Sequence, residues 1–208
     1  MFDEGLTGSE SRLWELIAKR QRPDTDTAQI DRRIWDLFGE DWCIMFTDLV
    51  GFSRNAARFG IIHFLQIIYQ QKDLLLPIVS EHDGILIKME ADSFLIIFRR
   101  PERGLACAIA MQQASQEFSA ELPPERKLLL CIGLGYGKIL RTGDTDVWGA
   151  EVNAASKLGE DTATQHQILV TGGLKDVAAA HLTGISFKEL DLEIPGAERT
   201  YETIYPHF

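Results

Sequence analysis

The sequence predicts an α+β fold: one sheet with helices packed on one face, behind a helical N-terminal extension. Three observations lead there. From Trp42 onward, short apolar runs of strand length alternate with longer stretches of helical periodicity. Breaks such as Asp83-Gly84 and Pro123-Pro124 separate them. Residues 1–40 hold no such strand run, only two amphipathic stretches.

Taken in order, Ser9–Arg20 reads as a helix with Leu13, Leu16 and Ile17 on one side, broken by Arg22-Pro23-Asp24-Thr25-Asp26. A second helix starts from a cap at Asp26 or Thr27, runs through Ile30, Ile34, Leu37 and Phe38, and closes at Gly39. A strand from Trp42 ends at Asp48. The long helix after it, reaching about Glu81, places Ile61, Leu65, Ile68, Leu75 and Ile78 on its apolar side. Asp83-Gly84 turns the chain into strand 85–89, Glu90-Ala91-Asp92 is a hairpin tip, and strand 93–99 returns. Helix Glu102–Phe118, strand Leu128–Ile139, a helix around Gly149–Glu160, strand Gln167–Thr171, helix Leu174–His181 and strands near 186–191 and 199–205 complete the chain. The order βαββαβ predicts a ferredoxin-like sheet.

Composition narrows the function. The chain has 208 residues, enough for one domain plus an extension, and 45% of them are apolar, enough for a full core. A formal net charge of −10 disfavours nucleic acid and anionic membrane as partners, since both call for Lys/Arg patches. Cys43, Cys107 and Cys131 are dispersed in apolar segments without CxxC spacing, which reads as reduced core thiols of a cytoplasmic protein. No leader precedes the first helix and no apolar run is long enough to span a bilayer. The five histidines lack ligand spacing, which argues against zinc.

The candidate chemistry sits in two aspartates at the ends of apolar strands. Asp48 ends Cys43-Ile44-Met45-Phe46-Thr47, and Asp92 follows Ile85-Leu86-Ile87-Lys88-Met89-Glu90-Ala91. Such carboxylates suit hard divalent cations, which prefer oxygen and bridge to phosphates. The segment Leu49-Val50-Gly51-Phe52-Ser53 after Asp48 leads into a helix, so its backbone N–H groups can face an anion. Metal carboxylates beside a phosphate cradle imply a nucleoside triphosphate site. Taken singly, Asp48 also fits a helix N-cap and Asp92 a turn residue.

Phe46-Thr47-Asp48-Leu49-Val50-Gly51-Phe52-Ser53, Lys88 four residues before Asp92, and Asp146-Val147-Trp148-Gly149 leading to Asn153-Ala154-Ala155-Ser156-Lys157 together resemble the class III nucleotidyl cyclase catalytic domain. The likeness covers roughly residues 42–205, and the domain it implies occupies residues 41–208. It implies a cyclase homology domain that makes 3′,5′-cyclic AMP and pyrophosphate from ATP. Two Mg²⁺ or Mn²⁺ per site would be held by Asp48 and Asp92, with the backbone of Leu49–Ser53 around the phosphates. Lys88 and Asp146 correspond to the purine-reading pair of adenylate members, where Lys donates to N1 and Asp accepts from the exocyclic amine; guanylate members typically carry Glu in the place of Lys88. Asn153 corresponds to the residue that orients the ribose. Lys157 stands where the family has a transition-state arginine, so the charge is kept and the planar fork lost. The implied assembly is a head-to-tail homodimer in which one protomer supplies the metal aspartates and its partner supplies Lys88, Asp146, Asn153 and Lys157.

Two further positions depart from the pattern. Ala91 replaces the glycine that usually precedes the second aspartate, a swap that strains the backbone if φ is positive there. The phosphate-binding lysine expected near the last hairpin is missing from Asp191-Leu192-Glu193-Ile194-Pro195-Gly196, with Lys188 and Arg199 as the nearest cations in sequence. These departures leave open a catalytically weak or degenerate nucleotide-binding module, and a cyclase for another nucleoside triphosphate. Trp148 reads as packing, and Gly133-Leu134-Gly135-Tyr136-Gly137 as a glycine-rich strand without a Rossmann unit around it.

Overall fold

The computed structural model describes residues 8–51 and 59–206. Helices α1 (Gly8–Arg20) and α2 (Thr27–Phe38) pack on each other through their apolar residues. Asp26 caps α2, its Oδ1 accepting from the Gln29 N–H at 3.0 Å. No linker follows: Gly39 both ends α2 and begins strand β1 (Gly39–Leu49). Next come α3 (Ile61–Glu81), β2 (Ile85–Glu90), β3 (Ser93–Phe98), α4 (Pro101–Ser119) and β4 (Leu130–Thr142). The chain then forms β5 (Asp146–Trp148), α5 (Ala150–Ser156), a π-helical turn over Lys157–Thr162, β6 (Ile168–Thr171), α6 (Gly172–Ala178), β7 (Ser186–Leu190) and β8 (Thr200–Ile204).

These strands make one mixed sheet in the order β2-β3-β1-β4-β6-β8-β7, with β5 paired to β4. Its first four members carry the expected ferredoxin-like arrangement, antiparallel throughout. β1 is central: it is flanked along most of its length by β3 and β4, and Met45 and Ile44, both fully buried, point to opposite faces.

The α+β class is as predicted, but the layering differs. Helices α3, α4 and α6 cover one face, packing Leu75, Leu105, Met111 and Leu174 against Met45, Ile96, Ile132 and Val170. Helix α5 covers the other, with Val152 and Ala155 on Ile44, Leu95, Ile97 and Ile139. The expectation of helices on one face fails because β4 bears glycines on its α5 side. A Cβ on Gly133 would meet Ala155 O and Gly159 N at 2.3 Å, so only a bare backbone admits the helix there. Elsewhere the α1–α2 pair buries Leu13, Leu16, Ile34 and Phe38 and packs on Leu140 of β4.

Helix α3 also differs. Its buried side is Phe64, Ile67, Gln71, Leu75 and Val79, whereas the predicted core residues Ile61 and Leu65 are 60% and 53% exposed. Apolar residues occupy both sides of its first turns, so periodicity alone does not choose between them. Among the described residues no helix is long and apolar enough to cross a membrane.

At the β2–β3 hairpin tip Ala91 has φ +52°. The sequence condition for strain at this position is therefore met, since a Cβ in the left-handed region crowds the carbonyl. We expect Ala91→Gly to stabilise the chain by about 1 kcal/mol, raising the thermal midpoint by about 2–4 °C in calorimetry.

Candidate active site

The pairing of β1 with β3 sets two carboxylates side by side. Thr47 is opposite Phe94, and its buried Oγ1 accepts from the Phe94 N–H at 3.3 Å. The next residue on β1 is Asp48, and the residue preceding Phe94 is Ser93, whose Oγ donates to Asp48 Oδ1 at 3.3 Å. Asp92 adjoins in the hairpin tip and is only 6% exposed. Its main-chain carbonyl accepts from Nε2 of Gln71, a fully buried glutamine on α3, at 2.8 Å. That bond ties the tip to the helical layer.

Burial raises the pKa of Asp48. Asp92 is pushed up to about 7, first by burial and then by the negative charge of Asp48. Among the described residues Asp92 Oδ2 is buried with no hydrogen-bond partner. A buried, unsatisfied carboxylate oxygen facing a second carboxylate is costly unless a proton or a cation joins them. The donor set thus fits a divalent metal. No third His, Cys, Asp or Glu completes a cage among the described residues, so further ligands would come from water or a phosphate, as is usual for Mg²⁺.

A second group gathers beside the first. Lys88 on β2 and Asp146 on β5 form an ion pair at 2.6 Å, Lys88 Nζ donating to Asp146 Oδ2. The other oxygen of Asp146 accepts from the Val147 N–H at 2.9 Å, which fixes the carboxylate. Asp146 stands on a strand, because Thr142 and Asp146 pair across the β4–β5 turn. Lys88 and Asp146 line a cavity of about 310 Å³ with Phe46, Ser93, Trp148 and Asn153. Ser93 therefore belongs both to the cavity wall and to the carboxylate pair.

Asn153 on α5 lines this cavity, but Lys157 does not. Lys157 is exposed at the start of the π-helical turn, with its Nζ on Asp161 at 2.8 Å. The cradle is narrower than the sequence suggests. The Val50 N–H donates to Leu129 O at 2.9 Å and so does not stand open to an anion, whereas the N–H of Leu49, the last residue of β1, faces the Asp48 and Asp92 carboxylates. Gly51, with φ +83°, is the first residue free of the ladder; Phe52 and Ser53 lie outside the described residues. Lys188 and Arg199 are on the β7–β8 edge, engaged with Glu202 at 3.9 Å and Asp176 at 2.9 Å. Neither lines the cavity.

Sequence reasoning missed Ser93, Gln71, Glu160 and Asp161. Gln71 had a signal, a polar residue at core spacing between Ile67 and Leu75. Glu160, which lines the cavity, and Asp161 had none, since the π-helical turn that aims them is not encoded by periodicity. Trp148, read as packing, is 44% exposed on the cavity wall.

The sequence model of the adenylate and guanylate cyclase catalytic domain matches residues 39–203. Serine/threonine-protein kinase pkn2 of Myxococcus xanthus is 31% identical over 102 residues, 49% of this chain and 12% of that protein. An adenylate cyclase of Mycobacterium bovis is 30% identical over 141 residues, covering 61% of this chain and 31% of the relative. The chain thus spans less than a third of the length of these curated relatives. Among solved structures, the adenylyl cyclase CyaB from P. aeruginosa superposes with a TM-score of 0.67 at 16% identity, over 81% of this chain and 96% of that one. At that identity the likeness is one of fold.

The carboxylate pair predicts a pH signature in metal-free protein. An acid whose folded pKa lies above its ordinary value of 3.8 favours folding when protonated. That contribution is complete below about pH 4 and is lost as pH rises through about 7. In calorimetry with EDTA, Asp92→Asn should therefore raise the midpoint at pH 8 by about 3–6 °C and leave it nearly unchanged at pH 4.

Proposed function

The chain belongs to the adenylate and guanylate cyclase catalytic domain family, and from that premise we propose that it converts ATP to 3′,5′-cyclic AMP and pyrophosphate at a site shared by two copies. The observation that carries the adenine assignment is the Lys88–Asp146 pair on the cavity wall. Lys88 can donate to N1 of adenine while Asp146 accepts from the exocyclic amine, so the purine replaces their bond to each other with two of its own. Guanine presents the opposite pattern at both positions, and mismatched polar groups in a pocket are costly. The adenylate cyclase name carried by the mycobacterial relative agrees with this choice.

The reaction forms one bond and breaks one. The ribose 3′-oxygen attacks the α-phosphorus, the bond to the β-phosphate bridging oxygen breaks, pyrophosphate leaves, and the 3′-hydroxyl proton goes to solvent. Asp48 and Asp92 would hold the divalent cations, which when bound lower the pKa of the attacking hydroxyl and neutralise phosphate charge. Ser93 keeps Asp48 oriented, and Gln71 keeps the tip carrying Asp92 in place. Asn153 orients the ribose. Lys157 leaves Asp161 to meet the α-phosphate as a point charge, where an arginine would offer a planar fork. An electrostatic donor replaced in this way costs up to ~10²-fold in rate, so slow turnover is expected.

Two further observations bear on assembly and setting. In the single chain Ile61, Ile62, Leu65 and Tyr69 are all exposed on α3, an apolar surface that supports association with a second copy. The three cysteines are buried and unbridged, which suits a cytoplasmic setting. The engagement of Lys157 by Asp161 favours a second reading, a nucleotide-binding module with little turnover.

Incubation with ATP, GTP, CTP or UTP and Mn²⁺, with products identified by mass spectrometry, tests the proposal. Cyclic AMP as the dominant product supports it; no cyclic product from any nucleotide leaves the module reading. Asp48→Ala and Asp92→Ala should each lower turnover by ~10³-fold or more with an unchanged circular dichroism spectrum. Wild-type activity in either would remove the metal assignment. In the same assay Lys88→Glu combined with Asp146→Ser should shift preference toward GTP; an unaltered preference for ATP would refute the base-reading pair.

A further inference from the structure

Among the described residues, the N-terminal extension makes an aromatic contact to the cavity wall. Trp14 of α1 meets Trp148 edge to face, with ring centroids 6.3 Å apart and planes at 81°. Trp148 ends β5, two residues after Asp146, and shares the cavity with Lys88, Asp146 and Asn153. The same helix touches the β4–β5 turn twice more. Thr145 Oγ1 lies 3.5 Å from Glu10 Oε2, and Ser9 stands over Gly143, where the missing side chain leaves room for it. Below these contacts, Leu13 and Leu16 pack with Ile34, Phe38 and Leu140, seating α1 on β4.

β5 needs such support. It is three residues long and pairs with β4 alone. Val147 is its only buried side chain; Trp148 is 44% exposed. A short edge strand with so little burial has few contacts of its own to fix a side chain on its outer side. Trp14 supplies one, and an edge-to-face pair fixes orientation as well as position.

We infer that Trp14 is a positioning residue for the nucleotide pocket: through Trp148 the N-terminal helix sets the wall beside Asp146 and so sets affinity for the purine nucleotide. The inference rests on the proposed function for its ligand, though its readouts do not all depend on turnover. It gives the extension a role within the site, since displacing α1 frees the β5 wall while Asp48 and Asp92, held by β1 and the β2–β3 hairpin, stay where they are.

The test uses the full chain and three variants, Trp14→Ala, Trp14→Phe and Trp148→Ala. Trp14 is 37% exposed, so its removal spares the buried Leu13 and Leu16. Calorimetric titration with α,β-methylene-ATP and Mn²⁺ measures binding without turnover. KM and kcat for cyclic AMP formation are measured beside it. Trp14→Ala should weaken binding and raise KM about 5–10-fold with kcat within about 2-fold, Trp14→Phe should recover most of the loss, and Trp148→Ala combined with Trp14→Ala should add nothing to Trp148→Ala alone. An unchanged KM in Trp14→Ala, additive effects in the double variant, or an equal fall in kcat and kcat/KM would each overturn the inference. Analogue binding weakened by Trp14→Ala, in a wild-type chain that forms no cyclic product, would defeat the catalytic proposal and leave the positioning role standing. A wild-type chain that binds no analogue would defeat both.

Discussion

Two carboxylates held together with no lysine or arginine paired to them among the described residues set the terms for this structure. Asp48 and Asp92 are placed by β1, β3 and the hairpin between β2 and β3, at the cost of keeping like charges in a partly dehydrated niche. Burial dominates the protonation of both, opposed at Asp48 by the Leu49 N–H and reinforced at Asp92 by the charge of Asp48. An arrangement of this kind is unfavourable to the empty fold. It persists because the surrounding bonds over-determine it, with Thr47 on Phe94, Ser93 on Asp48, and Gln71 on the Asp92 carbonyl. Even Ala91 is carried in a left-handed conformation to keep the tip closed over the pair. Strain and charge at one point, offset by a well-packed sheet around it, are the expected economy of a functional site.

The opposite wall of the cavity depends on a different device, the bare backbone of β4. Gly133 and Gly135 share a face, and α5 with the π-helical turn comes down on that face. Glu151 fills the groove: its Oε2 accepts from the Tyr136 N–H at 3.1 Å and from Thr171 Oγ1 at 2.8 Å. Those bonds oppose the burial that raises its pKa and lock the first turn of α5 to the sheet. Asn153, two residues on, is thereby delivered to the cavity. The glycines are thus part of the site without touching any ligand.

Much of this was legible in the residues, and the failures have physical reasons. Strand runs, the hairpin around Asp92 and the two N-terminal helices follow from periodicity and breakers, and each forms close to its expected bounds. The bringing together of Lys88 and Asp146, 58 positions apart, was legible only through resemblance, because no local rule links them. Periodicity misassigned the core face of α3, since Ile61 and Leu65 compete there with Phe64 and Ile67 and tertiary packing decides. Helices on one face of the sheet were expected from the ferredoxin-like element order, and the glycine-rich strand gives no hint of which helix will use it. Trp148 looked like filler because its partner, Trp14, lies in a segment whose sequence carries no chemistry.

Among the described residues, the charges around the cavity favour the proposed substrate arriving with its own cation. Lys88 is spent on Asp146 and Lys157 on Asp161, so both lysines near the site are neutralised within the chain. Asp161 acts twice, since its charge also raises the pKa of Asp48. Among the described residues, a free triphosphate approaching this wall would meet Glu90 and Glu160 while Lys88 is already paired with Asp146, and repulsion would oppose binding. On the proposed function, a triphosphate carrying divalent metal would reverse that balance, with the carboxylates as ligands and their loss of protons driven by the ion. On that proposal Lys157 would exchange Asp161 for phosphate at little cost, because the pair is exposed and such pairs are worth only ~0–1 kcal/mol. The same weakness that makes the Lys157–Asp161 bond a poor source of stability makes it a usable resting place for a mobile positive charge.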